Sequence, residues 1–186
     1  MIQSVFPDIT PTGKAYTIVI QGGSINTVPI SAGAEIGVFD GEVLVGKTVW
    51  NSESAVTITA WQADAAQGLP GYTPGNTMSF KVHTQFYDLT DIFEVTASYE
   101  TGNGTFGFGP FSAVRLQGQS NRVPTAVVST NEINFGTLRL GQFSSQTLEV
   151  ENTGDAQMSL SYSAQSGVFS WSAASVQLQK GQKHNI

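Results

Sequence analysis

Two tryptophans lie out of phase with the apolar residues around them. In the run AVTITAWQ, Trp61 falls on the threonine side of a predicted strand whose other side carries Val56, Ile58 and Ala60. Trp50 is out of phase with the valines that precede it. Exposed aromatic rings stack on the apolar faces of sugars, whose hydroxyls take hydrogen bonds at the edges. The ordinary interpretation of such positions in a sandwich is that both rings pack in the core; the functional interpretation, which defines the predicted site, is that both tryptophans contact a carbohydrate.

The long loop after Trp61 supplies two more candidate residues. Its sequence, QADAAQGLPGYTPGNT, contains Tyr72, and we expect the loop to bring this ring beside Trp61. Asp64 stands near the start of the same loop. The predicted ligand-binding residues are therefore Trp61, Tyr72, Trp50 and Asp64.

The stretch AEIGVFDGEVLVG offers a possible cation site. Asp40 and Glu42 stand at a turn, and hard oxygen ligands from loop acids and carbonyls hold calcium in many proteins. The other interpretation is that Asp40 belongs to a hairpin turn around Asp40-Gly41, where Asp and Gly are favoured. A structural calcium ion at Asp40 and Glu42 is the one cofactor that we consider.

Residues for nucleophilic or phosphate chemistry are scarce. The chain has no cysteine and two histidines, and no nucleophile elbow surrounds either histidine. His83 falls on the polar side of a predicted strand, where we expect it to be solvated. The sequence therefore predicts that the protein is not an enzyme. The remaining catalytic alternative is a glycosidase-like hydrolase that uses two carboxylates, chosen from Asp40, Glu42, Asp64, Asp88 and Asp91.

The charge balance excludes several partners. The net charge is −6 with only eight Lys plus Arg among 186 residues, which disfavours a surface that follows nucleic-acid phosphates. No apolar run approaches the roughly 18 to 20 residues that a membrane span needs, so we expect no membrane insertion. The start MIQSVFPDIT lacks the charged and apolar regions of a signal peptide, so we expect that any such signal stands outside this sequence.

Short alternating runs separated by turn residues are typical of an all-β protein. We predict two tandem β-sandwich domains, of immunoglobulin-like or jelly-roll-like type, the second of them truncated. The boundaries are 1–118 for a ligand-binding module, 119–124 for a polar linker and 125–186 for an incomplete immunoglobulin-like domain.

The second predicted domain resembles a known repeat. Residues 126–186 contain INFGTLRLGQFSSQTLEVENTGDAQMSLSYS, which is similar to the ASH/MSP-type immunoglobulin-like repeats with their pattern of FG, G, L.V.NTG and L. Such repeats end in a further strand, and the tail KGQKHNI stops where that strand would begin. The resemblance therefore implies a fragment of a longer multidomain protein.

The first predicted domain is similar to an uncharacterised module of large secreted bacterial proteins. The likeness is carried by Thr12-Gly13, Tyr16, the run EIGVFDG, Val45-Gly46 and the run ITAW. It implies a secreted or cell-surface module that is linked to further domains of one parent chain. We expect a non-catalytic module that binds a polysaccharide or cell-surface glycan; the alternative is a structural or adhesive spacer without a small ligand.

Overall fold

A computed structural model describes residues 4–51, 55–163 and 175–186. Over these residues the protein consists of strands, turns and loops, without a helix, and therefore without a helix that could span a membrane. Two compact units are present, Met1–Ser120 and Asn121–Ile186. The prediction of an all-β fold is confirmed.

The described residues of the first unit, 4–51 and 55–120, form eight strands. They alternate with short turns and one long loop, residues 62–77, between the fifth and the sixth strand. Their bounds are β1 Ala15–Ile25, β2 Val28–Pro29, β3 Glu35–Asp40, β4 Val43–Val49, β5 Val56–Trp61, β6 Met78–Phe86, β7 Leu89–Thr101 and β8 Phe111–Gly118.

Strand β7 divides this unit into two sheets. Its first half pairs with β6, from Leu89 to Val95, and its second half pairs with β8, from Val95 to Thr101. A strand that changes its partner in this way forms the corner of a sandwich. The first sheet is therefore β4-β3-β6-β7, and the second sheet is β7-β8-β1 with β5 and β2 following one another along the free edge of β1. Strands β1 and β8 run parallel, and all the other pairs are antiparallel.

The core of the first unit fills the space between the two sheets. Strands β1, β5 and β6 contribute every second residue along much of their length, as their alternating sequences predict, whereas β3 is buried on both faces. In β5, for example, Ile58 and Ala60 are buried while Thr57 and Thr59 are exposed. Burying an aliphatic side chain contributes about 1.5–3 kcal/mol, so this cluster provides most of the driving force for folding. Its largest fully buried members include Phe106, Ile18, Ile20, Ile36, Ile58 and Leu116.

Part of the outer face of the first sheet, over β3 and β4, is covered by an N-terminal segment, residues 4–8, which we call the strap. It binds to Glu35, a carboxylate only 5% exposed. Ser4 Oγ donates to Glu35 Oε1 at 2.8 Å, and the amides of Val5 and Phe6 donate to Oε2 at 2.8 and 3.2 Å. Lys47 Nζ lies 3.3 Å from Oε1 and donates to the Phe6 carbonyl at 2.6 Å. A buried carboxylate needs such donors, because an unpaired buried charge is strongly unfavourable.

These contacts set the charge state of Glu35. Burial on its own raises the pKa of Glu35, but the hydrogen bonds from Val5, Phe6, Ser4 and Lys47 outweigh it and hold the pKa below its ordinary value. The ionised form is therefore stabilised by folding. This contribution is present above the unfolded pKa of about 4.3 and is lost as the pH falls through the folded pKa.

We predict that Glu35→Gln lowers the free energy of unfolding by about 2 kcal/mol near pH 7, since hydrogen bonds to a charged group are lost. The difference from the wild type should shrink as the pH falls through the lowered pKa of Glu35 and the carboxylate itself becomes protonated. Thermal melts from pH 3 to 8 test this. Glu94→Gln, at an exposed ion pair with Lys81, is the control without a comparable pH dependence. An equal destabilisation by Glu35→Gln at every pH would contradict the prediction.

The second unit is smaller and has two sheets over its described residues. Val150, Met158 and Leu178 form its buried cluster, flanked by Leu148 and Leu160. The tail KGQKHNI, where the sequence predicts that the last strand is missing, contains a three-residue strand. The strands are β9 Ala126–Val128, β10 Glu149–Asn152, β11 Met158–Ser161, β12 Ser175–Leu178 and β13 Lys183–Asn185, in the orders β13-β10-β9 and β11-β12.

Asn152 links four parts of the second unit. This side chain is fully buried, and its Nδ2 donates to the carbonyls of Ala156 and Leu178 at 2.8 and 2.9 Å. Its Oδ1 accepts from the amides of Thr125 and Gly154 at 3.2 and 3.1 Å. Asn152 begins the NTG motif. Its hydrogen bonds to the backbone give the asparagine of this motif a structural role.

We predict that Asn152→Ala destabilises the second unit by about 3 kcal/mol, because it removes the partners of several buried backbone groups. Amide hydrogen exchange of β10 and β11 measures the loss locally. Asn134→Ala is the matched control, because Asn134 caps an exposed turn through the Gly136 amide. Unchanged protection in Asn152→Ala would show that the buried amide is not needed.

Candidate functional site

The outer face of the second sheet is the candidate site. Residues of β5, β1, β8 and the second half of β7 that alternate with the core point to this face. Most of them are small or carry a hydroxyl or amide group, and the face has a row of exposed threonines. They are Thr57, Thr59, Trp61, Ala15, Thr17, Val19, Phe111, Ala113, Arg115, Gln117, Thr96, Ser98 and Thr101.

Trp61 and Phe111 are the aromatic residues of this face. Trp61 is partly exposed and pairs with Ala15; Phe111 is 38% exposed and pairs with Thr17 of the same strand. Their Cα atoms thus lie two strands and two residues apart, which is about 10 Å across the strands and about 7 Å along them. The two rings can therefore contact different sugar residues of one chain. Thr59 and Thr17, a register pair, lie between them.

Phe111 was missed by the sequence analysis, although a signal exists. It alternates with Ala113 and Arg115 and is out of phase with the buried Val114 and Leu116. The glycines before it suggested only a bend. Phe108, in that bend, is 53% exposed, and its carbonyl accepts a hydrogen bond from Tyr16 at 2.8 Å. The backbone at Phe108 is therefore bound to the buried Tyr16 side chain of β1, while the Phe108 ring is exposed.

The charge on this face is low. Arg115 and Glu100 form an exposed ion pair with Nε to Oε1 at 3.0 Å. The hydrogen bond from Arg115, with a further one from Gln21, holds the pKa of Glu100 below its ordinary value. The two charges cancel locally, so the face suits a neutral ligand rich in hydroxyls better than a highly charged one.

Tyr72 and Trp50 lie in the core, which corrects the prediction that their rings are available to a ligand. The loop does bring Tyr72 to Trp61, because the Tyr72 amide donates to the Trp61 carbonyl at 2.9 Å. Its ring, however, is 4% exposed and stacks on Phe106 with centroids 4.7 Å apart. Burial accordingly raises the pKa of Tyr72.

Trp50 is 8% exposed and follows the end of β4. Its amide donates to the Ala34 carbonyl and its carbonyl accepts from the Gly33 amide, both at 2.8 Å. The preceding valines do not share one phase, because a bulge at Val45 shifts the alternation within β4: Val45 is buried and Val49 is exposed. Trp50 therefore alternates with the exposed Val49 and points inward, and the core alternative holds for this residue.

Asp64 organises its own loop. Its Oδ1 accepts from the amides of Ala66 and Gln67 at 3.0 and 3.2 Å, and its Oδ2 accepts from the Gln67 side chain at 3.0 Å. This is the local pattern in which an aspartate caps a turn. The carboxylate that the sequence assigned to a ligand therefore has a structural role.

Asp40 binds the C-terminal end of the same loop through hydrogen bonds. Its Oδ2 accepts from the Thr73 amide at 2.7 Å, and both oxygens lie 2.9–3.0 Å from Asn76 Nδ2. The hairpin turn is centred on Gly41 and Glu42, one residue later than predicted, so Asp40 ends β3. Glu42 is exposed. Within the described ranges, no group of three or more acidic or histidine side chains could hold a metal ion.

We predict that Asp40→Ala loosens the 62–76 loop and lowers the free energy of unfolding by about 1–2 kcal/mol, through the lost hydrogen bonds. Limited proteolysis in the loop and thermal melts measure this. Glu42→Ala, one turn residue away, is the control that should behave as wild type. Melts with and without a chelator distinguish this role from the calcium hypothesis: a chelator-dependent loss in the wild type, absent from Asp40→Ala, would favour calcium.

His83 is less solvated than the sequence suggests. It pairs in register with Glu35, and its Nδ1 is buried without a hydrogen-bond partner in the described part of the chain. The strap side of the first sheet thus places a histidine near a carboxylate. Both Glu35 oxygens are taken by the strap and Lys47, so this pair does not form a catalytic dyad with an accessible base.

A shallow groove of about 440 Å³ opens where β6 and β7 separate beyond Val95. Its aromatic side chains are Phe80 and Tyr99, which belong to the core or pack against it. It therefore offers hydroxyls without an exposed ring, unlike the outer face of the second sheet. Its lining includes Thr77, Ser79, Thr96, Asn103 and Thr105.

Comparison of the chain with protein-family models, with curated proteins and with solved structures finds no significant match.

Proposed function

We propose that the first unit is a non-catalytic carbohydrate-binding module, which holds a polysaccharide or cell-surface glycan on the outer face of β5, β1 and β8. The observation that carries the proposal is the pair of accessible rings, Trp61 and Phe111, on one face with threonine hydroxyls between them. Rings stack on the apolar faces of sugars, and hydroxyls satisfy their edges.

Three further observations support this choice. The strap covers the outer face of β3 and β4 in the first sheet, whereas the outer face of the second sheet presents exposed side chains. The local charge is neutralised by the pair Arg115–Glu100. The carboxylates of Asp40 and Asp64 are engaged in loop contacts, which favours binding without hydrolysis. In the proposed setting the module is secreted or on a cell surface and is joined to other domains of its parent chain.

We predict that Trp61→Ala abolishes binding to the recognised glycan and that Phe111→Ala weakens it, because each removes one stacking surface. Affinity electrophoresis across a panel of soluble and insoluble glycans provides the measurement. Trp61→Ala should cost no more than about 2 kcal/mol of stability, below the 3–5 kcal/mol typical of a fully buried aromatic residue.

Phe143→Ala is the matched control, because Phe143 is a fully exposed phenylalanine of the second unit. It should leave glycan binding unchanged. Failure of the wild type to bind any glycan would instead favour the structural or adhesive spacer. Binding that survives both Trp61→Ala and Phe111→Ala would place the ligand elsewhere.

A further inference from the structure

The strap is bound to the first sheet as a peptide ligand is bound to its receptor. Residues 4–8 form no strand with β3 or β4, and side chains of the sheet make the contacts instead. Glu35 accepts from the amides of Val5 and Phe6, and Lys47 donates to the carbonyl of Phe6. Glu35 accepts from the amide side of Phe6 and Lys47 donates to its carbonyl side. These contacts therefore fit only one direction of the peptide backbone.

Phe6 fills a hollow over Gly37. The ring is 7% exposed and meets Phe39 edge-on, with centroids 5.7 Å apart. A Cβ atom at Gly37 would lie 3.2 Å from Phe6 Cε2 and 3.0 Å from Leu44 Cδ1. The missing side chain thus creates the space that the Phe6 ring occupies. The core covers the inner face of β3, and the strap covers its outer face at the hollow. The hollow would therefore expose apolar surface if the strap left.

Asp8, two positions after the aromatic residue, forms an ion pair with Lys47. Lys47 Nζ lies 3.2 Å from Asp8 Oδ1 as well as 3.3 Å from Glu35. The site therefore fits an extended segment with a small polar residue, an aromatic residue and then an acid, which are Ser4, Phe6 and Asp8 in this chain. Pro7 keeps Phe6 extended, since the residue before proline avoids the helical region.

We propose that this hollow is an acceptor site that takes residues 4–8 from a second copy of the chain. Exchange would reproduce every contact made within one chain, which is why swapped segments are a low-cost route to dimers. The connection to β1, residues 9–14, contains no strand and includes Gly13 with a φ of +87°. A change of direction there would carry the strap to a neighbouring molecule.

Within one chain the strap has an effective concentration in about the millimolar range, so the exchanged form of the wild type competes with the closed monomer. The experiment therefore disables closure in two different ways. Phe6→Ala leaves the acceptor site intact and removes the ring that the segment places in it. Gly37→Val keeps the segment and fills the acceptor. Neither full-length variant can close on itself or pair with its own kind.

Each variant alone should be monomeric by analytical ultracentrifugation, and an equimolar mixture should form a one-to-one complex with twice the monomer mass. A synthetic peptide of residues 4–9, SVFPDI, should dissolve that complex. The control mixture of Phe6→Ala with the double variant Phe6→Ala/Gly37→Val should remain monomeric. If Gly37→Val fails to fold, Lys47→Glu replaces it, because its charge repels Asp8 and Glu35.

A mixture of two folded variants that stays at the monomer mass up to millimolar concentration would overturn the proposal. A complex that persists in the presence of excess peptide, or that also forms in the control mixture, would overturn it as well, because the contact would then lie outside the hollow. Glycan binding is measured on the other sheet, so either result leaves the proposed carbohydrate site to its own test.

Discussion

The change of partner along β7 is the constraint on which the first unit depends. Before Val95 this strand completes the first sheet, and after Val95 it completes the second. One continuous path of hydrogen bonds is thereby folded into two layers, and each strand gains one face toward a common core. Because of this corner, the apolar residues of the alternating strands face a common core and the polar residues face outward. Every outward residue considered for binding owes its position to it.

The two outer faces differ because their sequences differ at a few positions. The first sheet carries a buried carboxylate, Glu35, and a gap at Gly37, and both are satisfied by the strap. The second sheet carries threonines and two accessible rings, which are already solvated and need no cover. Buried polar groups demand partners, whereas exposed hydroxyls do not. The strap therefore covers the part of the first face that carries these groups, and the second face stays exposed.

The sequence predicts those features that local periodicity determines. It correctly identifies the all-β class, the hairpin of β3 and β4, and the buried face of β5, because a period of two needs no knowledge of distant residues. It places the hairpin turn one residue early. It fails for Tyr72, which lies in a loop where the period does not apply, and for Trp50, because the bulge at Val45 shifts the phase of β4. Of the four predicted ligand residues, Trp61 alone is on the candidate face. Glu35 could not be recognised, because the donors that permit its burial lie about thirty residues earlier in the chain.

The parallel pairing of β1 with β8 has a consequence for how the protein acquires its fold. Thr17 meets Phe111 only after nearly the whole first unit has been synthesised, so the second sheet is closed by contacts of high sequence separation. Such contacts are entropically expensive to form and make folding slow. During translation β1 must wait with an open edge, and its apolar residues are available for wrong associations in that interval. The parallel pairing thus delays completion of the second sheet during synthesis. The longer this delay, the more the unfinished chain depends on protection from aggregation by chaperones.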